Sequence, residues 1–275
     1  QSGLSGSIGQ ATYDTTNNQL VVNTNADNLV TTLDYVINVG AAATAANSIV
    51  EGDINYVITG GTANDTIVAG SGADTLNGGT GADNITGGAG ADTIAVGSGS
   101  VDTVTFSEIL DGVSSVLTIT ATDATDDFTA TAGTTTDSIT SAWVTGTDLI
   151  KIDGTLKGLL EASGVSETSA TDNNLDYDAY GIFIIDDAQA DLAGDNFGDV
   201  SDIITNFNIG NGTDANTTAG DEIIFTIDAN SANLTGIYYM KDVDGDGDLG
   251  VGDQIALLGI VADDTFVITS VSVTA

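Results

Sequence analysis

The sequence predicts an all-β protein in which a short parallel β-roll continues into an antiparallel β-sandwich. The roll is predicted by a nine-residue repeat, rich in glycine and aspartate, that runs from Gly60 to Thr105. The sandwich is predicted by later segments of strand length, apolar or alternating, that are separated by polar turns. The 275 residues therefore divide into an N-terminal β segment (1–50), the roll (51–105) and the sandwich (106–275).

Two positions of the repeat recur at the same place in every unit, an aspartate and an aliphatic residue. Its units read GGTANDTIV, AGSGADTLN, GGTGADNIT and GGAGADTIA, followed by VGSGSVDTVT with one inserted residue. An aliphatic residue follows each aspartate by two positions, which indicates a very short strand with one side chain facing inward. The repeated aspartates are Asp65, Asp74, Asp83, Asp92 and Asp102.

The glycines of each unit predict a six-residue turn, because glycine adopts conformations that other residues avoid. Two turns and two strands close a coil of 18 residues, so Asp65, Asp83 and Asp102 stack on one side of the roll. Asp74 and Asp92 stack on the other side. Bare carboxylates at strand spacing repel each other by about 1–4 kcal/mol per pair. A hard divalent cation removes this repulsion, and Ca²⁺ fits such an oxygen shell better than Mg²⁺ does.

The pattern G-G-x-G-x-D-x-U-x resembles the calcium-binding nonapeptide repeat of secreted RTX proteins. The resemblance implies several bound Ca²⁺ ions, an extracellular location at a bacterial cell surface and export by type I secretion. Enzymes and toxins of that family carry a separate catalytic or pore-forming domain. Chains made of repeats and sandwich alone look like S-layer and other surface-assembly members, which are also rich in Thr, Ala, Asn, Gly and Asp.

A second calcium motif lies near the C-terminus, where DVDGDGDLGVGD resembles an EF-hand or dockerin-like loop. An aspartate stands at the last position, where a bidentate glutamate is usual. The flanking segments Leu234–Met240 and Gln254–Val261 read as strands, so we expect a strand–loop–strand hairpin. The candidate ligands are Asp242, Asp244, Asp246, Asp248 and Asp253.

Residues 137–152 and 202–225 share a pattern of D-x-I, an aromatic residue, a loop with glycine, and G-D or G-T-D before an aliphatic strand. The second copy resembles the segment that follows the repeats in secreted RTX proteins. The aspartates of the pattern either form turns or bind calcium, and they are Asp137, Asp148, Asp202 and Asp221. Four aspartates within 191–202 form a further metal neighbourhood. Leu156–Ala162 predicts one helix and Tyr180–Ile185 a buried strand.

Both ends of the chain leave two interpretations open. Strands predicted at Gln19–Asn23 and Asn28–Val39 either cap the first coil or form an arm that pairs with a neighbouring molecule. Asp264–Val273 is either a C-terminal secretion signal or a closing strand. A chain that begins with Gln1 indicates a processed or truncated start.

The charge balance of the chain limits the classes of function that it can have. Acidic residues number 40 against 3 basic ones, which gives a net charge of -37 and opposes compaction without counter-ions. Hydrophobic residues make up 41%, too many for a disordered polyanion, so both facts fit a chain whose folding waits for cations. Nucleic acid is excluded as a partner because no basic patch can meet phosphates. No apolar run approaches the length that crosses a membrane.

The sequence does not predict an enzyme. It contains no His and no Cys, so it lacks the residues of a catalytic triad, a thiol nucleophile or a usual zinc site. We expect an extracellular calcium-binding structural protein that folds and self-assembles in Ca²⁺, with other copies of itself and cell-surface polysaccharide as partners. The alternative is a non-catalytic C-terminal module of a larger RTX adhesin or enzyme.

Overall fold

Strands are the main regular structure of the described residues, as the sequence predicts. The computed structural model describes residues 11–14, 19–22, 35–38, 47–48, 55–111, 116–120, 136–140, 143–144, 147–160, 165–168, 181–185, 197–200, 203–204, 219–229, 234–246, 249–262 and 271–273. In chain order the strands are β1 (Ala11–Asp14), β2 (Gln19–Val22), β3 (Tyr35–Asn38), β4 (Asn47–Ser48), β5 (Val57–Gly61), β6 (Thr66–Val68), β7 (Thr75–Gly81), β8 (Asn84–Thr86), β9 (Thr93–Ala95), β10 (Ser98–Gly99), β11 (Thr103–Phe106), β12 (Leu117–Thr118), β13 (Asp137–Ile139), β14 (Leu149–Ile152), β15 (Val165–Thr168), β16 (Ile182–Ile185), β17 (Glu222–Ala229), β18 (Leu234–Lys241), β19 (Gln254–Val261) and β20 (Val271–Val273).

The helix α1 (Gly154–Leu159) lies close to the predicted position, 156–162. Asp153 caps its first turn by accepting a hydrogen bond from the Gly154 N–H at 2.8 Å. Within the described part of the chain, no helix is long and apolar enough to span a membrane.

Successive strands of the repeat alternate between two parallel sheets. β5, β7 and β9 pair in one sheet, while β4, β6, β8 and β11 pair in the other. Leu76 stands opposite Ile94 in the first sheet, and Ile85 stands between Ile67 and Val104 in the second. All five side chains are buried in one core between the sheets. The alternation and the inward aliphatic ladder are those of the predicted β-roll.

The parallel coil does not end at residue 105, where the sequence placed the domain boundary. β13 pairs in parallel with β9, and β14 pairs in parallel with β11. β13 and β14 therefore form one more coil, which the chain reaches after residues 112–136, here called the excursion. The two segments predicted to be similar occupy different elements, because Ile139 lies in a strand whereas Ile203 lies in a short π-helical turn.

The C-terminal strands extend one face of the roll without a break. β19 pairs in parallel with β13, and β17, β18 and β19 form the predicted antiparallel part. β16 and β15 add parallel strands beyond β17, which completes a mixed sheet of 11 strands. This sheet is buried on both faces: Tyr239 and Leu258 join the core of the roll, while Phe225 and Tyr238 join a second core. The all-β prediction, a roll continued by a sheet, is confirmed.

The ends of the chain also form strands. β1, β2 and β3 make a three-stranded antiparallel sheet that includes parts of the two predicted N-terminal strands. β4 pairs in parallel with β6 at the start of the roll. At the other end, β20 pairs in parallel with β14. The cap, the arm and the secretion signal remain predictions.

Glycines permit the coils to stack closely. Gly79 has φ +101° and Gly88 has φ +95°, in the region that favours glycine. A Cβ at Gly88 would lie 2.0 Å from the carbonyl oxygen of Gly70, which belongs to the preceding coil. The repeat therefore needs glycine at this position both for its backbone conformation and for the space between coils.

We expect Gly88→Ala to lower the free energy of unfolding in Ca²⁺ by about 1–3 kcal/mol from backbone strain and by a similar amount, about 1–3 kcal/mol, from displacement of the next coil. Gly220→Ala is the matched control, since Gly220 has φ +108° but nothing within 4 Å of an added Cβ. Urea unfolding of both variants measures the difference. Equal losses would contradict a role for close stacking.

Candidate calcium sites

The repeated aspartates form two columns, one on each side of the roll. Within a column, the carboxylate Oδ1 of an aspartate accepts a hydrogen bond from the backbone N–H one coil earlier, which belongs to another aspartate except at Asp74, where Tyr56 donates at 2.6 Å. On one side these bonds join Asp65 N to Asp83 (2.8 Å), Asp83 N to Asp102 (2.8 Å) and Asp102 N to Asp148 (2.9 Å). On the other side they join Asp74 N to Asp92 (2.7 Å) and Asp92 N to Asp137 (2.8 Å).

The columns include two aspartates from outside the nonapeptides. Asp137 and Asp148, predicted either to form turns or to bind calcium, extend one column each by a further coil. Both side chains are buried. The predicted stacking of Asp65, Asp83 and Asp102 opposite Asp74 and Asp92 is therefore present, and it reaches farther along the chain than the repeat does.

Toward the ends of the columns, the second carboxylate oxygen accepts a hydrogen bond from a backbone N–H of its own turn. Asp65 Oδ2 accepts a hydrogen bond from Gly61 N at 2.7 Å, and Asp148 Oδ2 accepts one from Val144 N at 2.7 Å. In the middle of the columns, Asp83 Oδ2 and Asp92 Oδ2 are buried and have no hydrogen-bond partner among the described residues. An unpaired buried carboxylate oxygen is costly unless something else compensates its charge.

Burial makes the ionised form of these carboxyls unfavourable. It raises the pKa of Asp92 to about 7, and the negative charges of Asp74 and Asp111 add to the rise. Burial is also the main cause of a raised pKa in four more column members, which are Asp74, Asp83, Asp102 and Asp137. Backbone N–H donors act in the opposite direction but do not cancel the effect.

Basic side chains do not compensate the columns. The chain has 3 basic residues, all lysines. Lys151 pairs with Asp153 at 2.7 Å and Lys241 with Glu222 at 2.6 Å, while Lys157 lies in the last turn of α1. Among the described residues, the lysines therefore form no ion pair with the columns.

The turns offer the oxygen ligands that Ca²⁺ prefers. A Cβ at Gly78 would lie 2.6 Å from Asp83 Oδ2 and 2.2 Å from the carbonyl oxygen of Val96, which belongs to the next coil. Gly60 has the same surroundings, with Asp65 Oδ2 at 2.6 Å and the Gly78 carbonyl oxygen at 2.2 Å. Carboxylate and carbonyl oxygens from two coils thus converge on the space that glycine leaves open, a donor set that suits calcium.

Residues 59–94 match the RTX calcium-binding nonapeptide repeat in 4 copies. This segment consists of RTX repeats. RTX repeats bind calcium, and the match contains Asp65, Asp74, Asp83 and Asp92. No curated protein matches the chain. The match ends at residue 94. The structure shows that the columns continue beyond it with Asp102, Asp137 and Asp148.

A second group of carboxylates lies in the loop between β18 and β19. Asp242, Asp244, Asp246 and Asp253 each offer an oxygen, and these atoms all lie within 4.8 Å of one another. Asp242 and Asp253 are buried whereas Asp244 is exposed. β18 and β19 pair antiparallel on either side, so the predicted strand–loop–strand hairpin is confirmed. Asp248 lies outside the described residues.

Backbone donors hold the loop in shape. Asp253 accepts hydrogen bonds from Val243 N at 2.7 Å and from Gly250 N at 2.8 Å, and Asp242 accepts one from Gly245 N at 2.6 Å. Burial raises the pKa of Asp253, and the charges of Asp242 and Asp244 add to it. Four converging carboxylates suit a hard cation with oxygen ligands.

This loop packs against the second core and forms hydrogen bonds with the excursion. Leu249 is buried in the second core. Ile119, which follows β12, donates its N–H to the Asp253 carbonyl at 2.9 Å and accepts one from Gly252 at 2.9 Å. A cation in the loop would therefore stabilise the place where the excursion attaches to the sheet.

The structure describes only part of the remaining residues that were predicted to bind a metal, which are Asp221, Asp202 and the segment 191–202. Asp221 is buried next to the loop, and its carbonyl accepts a hydrogen bond from Asp242 N at 2.9 Å. Among the described residues, its carboxylate is not part of the group of four. Asp202 lies outside the described residues, as does most of the segment 191–202.

The sequence pattern did not indicate one further buried carboxylate, Asp111. Its Oδ2 accepts hydrogen bonds from Ser107 N at 2.5 Å, Ser107 Oγ at 2.9 Å and Glu108 N at 3.0 Å. The four-residue spacing from Ser107 to Asp111 equals that from Gly61 to Asp65. The segment SEILD lacks the glycines of the repeat, but Asp111 follows Asp102 by nine residues, the period of the repeat, and this spacing is the signal that could have indicated it.

We expect Asp83→Asn to weaken folding in Ca²⁺ through the loss of a bound ion. Asparagine keeps an acceptor for the Asp65 N–H but removes the charge. In Ca²⁺ the melting temperature should fall, because losing a site held at 100 times its Kd removes about 2.7 kcal/mol. The number of bound Ca²⁺ ions, measured by calorimetric titration, should fall as well. Asp153→Asn loses only a partly exposed ion pair, worth about 0–1 kcal/mol, and should keep the full number of ions. A lower melting temperature with an unchanged number of ions would contradict a ligand role for Asp83.

We expect Asp244→Asn to remove one calcium ion per chain. Asp244 is exposed, so its substitution should not disturb the packing of the loop. Calorimetric titration with Ca²⁺ gives the number of ions for the variant, the unmodified chain and Asp153→Asn. An unchanged number and affinity would exclude the loop as a calcium site.

Proposed function

We propose that this chain is an extracellular structural protein that folds and self-assembles in Ca²⁺. The observation that carries this proposal is the pair of buried aspartate columns, for which the chain supplies no basic partner. Such columns favour a folded state only when divalent cations are bound. RTX repeats, here at residues 59–94, are typical of secreted proteins, which supports an extracellular location.

Folding coupled to calcium follows from the electrostatics. In a cytosol that is low in calcium, a net charge of -37 keeps the chain extended and ready for export. Outside the cell, millimolar calcium fills sites of the affinity usual for extracellular modules, about 10⁻⁴–10⁻³ M. The neutralised turns then permit the aliphatic ladder to close, so the free energy of calcium binding contributes to folding.

Assembly is supported by composition and by sheet edges. The chain resembles surface-assembly proteins in being rich in Thr, Ala, Asn, Gly and Asp and free of Cys. Among the described strands, β15 stands at an end of the larger sheet, and β4 and β20 stand at the ends of the smaller one. Edge strands pair readily with a second copy of the same chain. Calcium bridging of surface carboxylates joins these contacts, and cell-surface polysaccharide is the second proposed partner.

We propose no catalytic role. The chain contains no His or Cys, and the buried aspartates are numerous and alike rather than arranged as one distinct acid–base pair. The second candidate function is a non-catalytic module of a larger RTX adhesin or enzyme. It is favoured by the short extent of the repeats, 59–94, beside a larger non-repeat sheet. A gene that continues upstream of Gln1 into another domain would decide for this candidate.

Sedimentation and electron microscopy of the purified chain test the assembly proposal. We expect ordered assemblies in millimolar Ca²⁺ and none in EDTA. Mg²⁺ at the same concentration should not replace Ca²⁺, because it requires a stricter octahedron and retains its waters. A chain that stays monomeric in millimolar Ca²⁺ would overturn self-assembly. Far-UV circular dichroism is the companion measurement, and full retention of β-structure in EDTA would overturn calcium-coupled folding.

A further inference from the structure

Two strands of the larger sheet, β5 and β15, each have one edge without a partner strand among the described residues. β5 pairs only with β7, and β15 pairs only with β16. The Thr75 N–H donates to the Tyr56 carbonyl at 2.8 Å, so the backbone groups of Val57 and Thr59 face away from β7, as a parallel ladder alternates. The outer edge of β5 therefore offers donors and acceptors to a further strand, and β5 itself contains no charged residue.

The two edge strands run in the same direction. Pairing is parallel from β5 through β7, β9 and β13 to β19. The antiparallel steps from β19 to β18 and from β18 to β17 cancel, and β16 and β15 then add parallel strands. The smaller sheet is parallel throughout, from β4 to β20, so its two ends agree in direction as well. A second copy, displaced along the sheet without reversal, can thus continue the larger sheet in parallel pairing.

A closed dimer is the other way to cover the β5 edge, because two β5 strands can pair antiparallel about a two-fold axis. That arrangement brings the first members of four aspartate columns together, since Asp74 accepts the N–H of Tyr56, directly before β5, and Asp65 accepts that of Gly61, the last residue of β5. Like charges then repel across the contact.

Pairing of β5 with β15 avoids this repulsion. β15 lies five strands beyond β13, which begins with Asp137, the last column aspartate of this sheet. The column of one copy is then about six strand spacings, or roughly 29 Å, from the columns of the next copy. That distance exceeds the screening length of about 8 Å at physiological salt. The electrostatics therefore favour the unlike pair of edges over the like pair.

We propose that the β5 edge of one copy pairs in parallel with the β15 edge of the next, so that copies join head to tail. The contact is heterologous and does not close, which produces a filament rather than a dimer. Nine successive strands separate one contact from the next, which are β5, β7, β9, β13, β19, β18, β17, β16 and β15. The axial repeat is then about 40 Å. The inference rests on the proposed self-assembly and adds its contact surface and its symmetry.

Single cysteines test the contact, because the unmodified chain contains none. Val57 is 82% exposed, so Val57→Cys does not disturb the core. On β15 both Ser166→Cys and Glu167→Cys are made, because neighbouring residues of a strand point to opposite faces. In Ca²⁺ under oxidising conditions, Val57→Cys chains should cross-link to one of the two β15 variants about ten times faster than to each other, because pairing raises the effective concentration of the thiols. Val251→Cys, on the acidic loop and 53% exposed, is the matched control and should show no such preference.

Rapid homodimers of Val57→Cys would reveal a two-fold contact and overturn the proposal. Assembly in Ca²⁺ without cross-links between β5 and β15 would overturn this contact and leave the proposed function intact. Electron microscopy of the unmodified chain supplies a measurement that needs no variant: we expect unbranched filaments with an axial repeat of about 40 Å. Closed particles or a two-dimensional lattice would overturn the head-to-tail contact alone, and a chain that stays monomeric in Ca²⁺ would overturn the proposed self-assembly with it.

Discussion

The structure depends on carboxylates that are buried in columns and not compensated by the chain. From Asp74 onward, each column aspartate joins two coils through its Oδ1, so it acts as a connector as well as a charge. The hydrogen bonds fix the spacing of the coils, and that spacing brings like charges together in a place from which water is excluded. The same geometry therefore specifies the roll and opposes it, and a divalent cation decides which effect is larger.

The rest of the fold builds on the roll because the sheets are continuous. β13 and β14 extend both faces by one coil, and β19 then carries one face into the antiparallel strands. Parallel pairing of this kind joins segments that are far apart in the chain, so it is slow to form without an ordered template. In the proposed function, a roll that closes when calcium binds supplies that template. The acidic loop between β18 and β19 bonds to Ile119 of the excursion on the far side of the same sheet.

The sequence by itself determined the features that repeat or are local. The nine-residue period placed the turns, the aliphatic ladder from Ile67 to Val104, and the division of the repeat aspartates into two columns, since each depends on neighbours within one coil. The hairpin around Asp242–Asp253 was equally readable, because its ligand spacing and its flanking strands lie in one short segment. The charge balance indicated that cations are needed but not where each one binds.

Only the tertiary structure decided how the roll ends. Ser107–Asp111 has no glycine signature, and only the nine-residue spacing from Asp102 to Asp111 marks it in the sequence, so its pairing with Ala89 became evident in the structure. Asp137 and Asp148 could be turn formers or ligands in the sequence, and their place in the columns became definite once β13 and β14 were seen to add a coil. The excursion between Asp111 and Asp137 hides this continuity, because the cost of closing a loop grows only slowly with its length and a chain can leave and rejoin a sheet without any periodic mark.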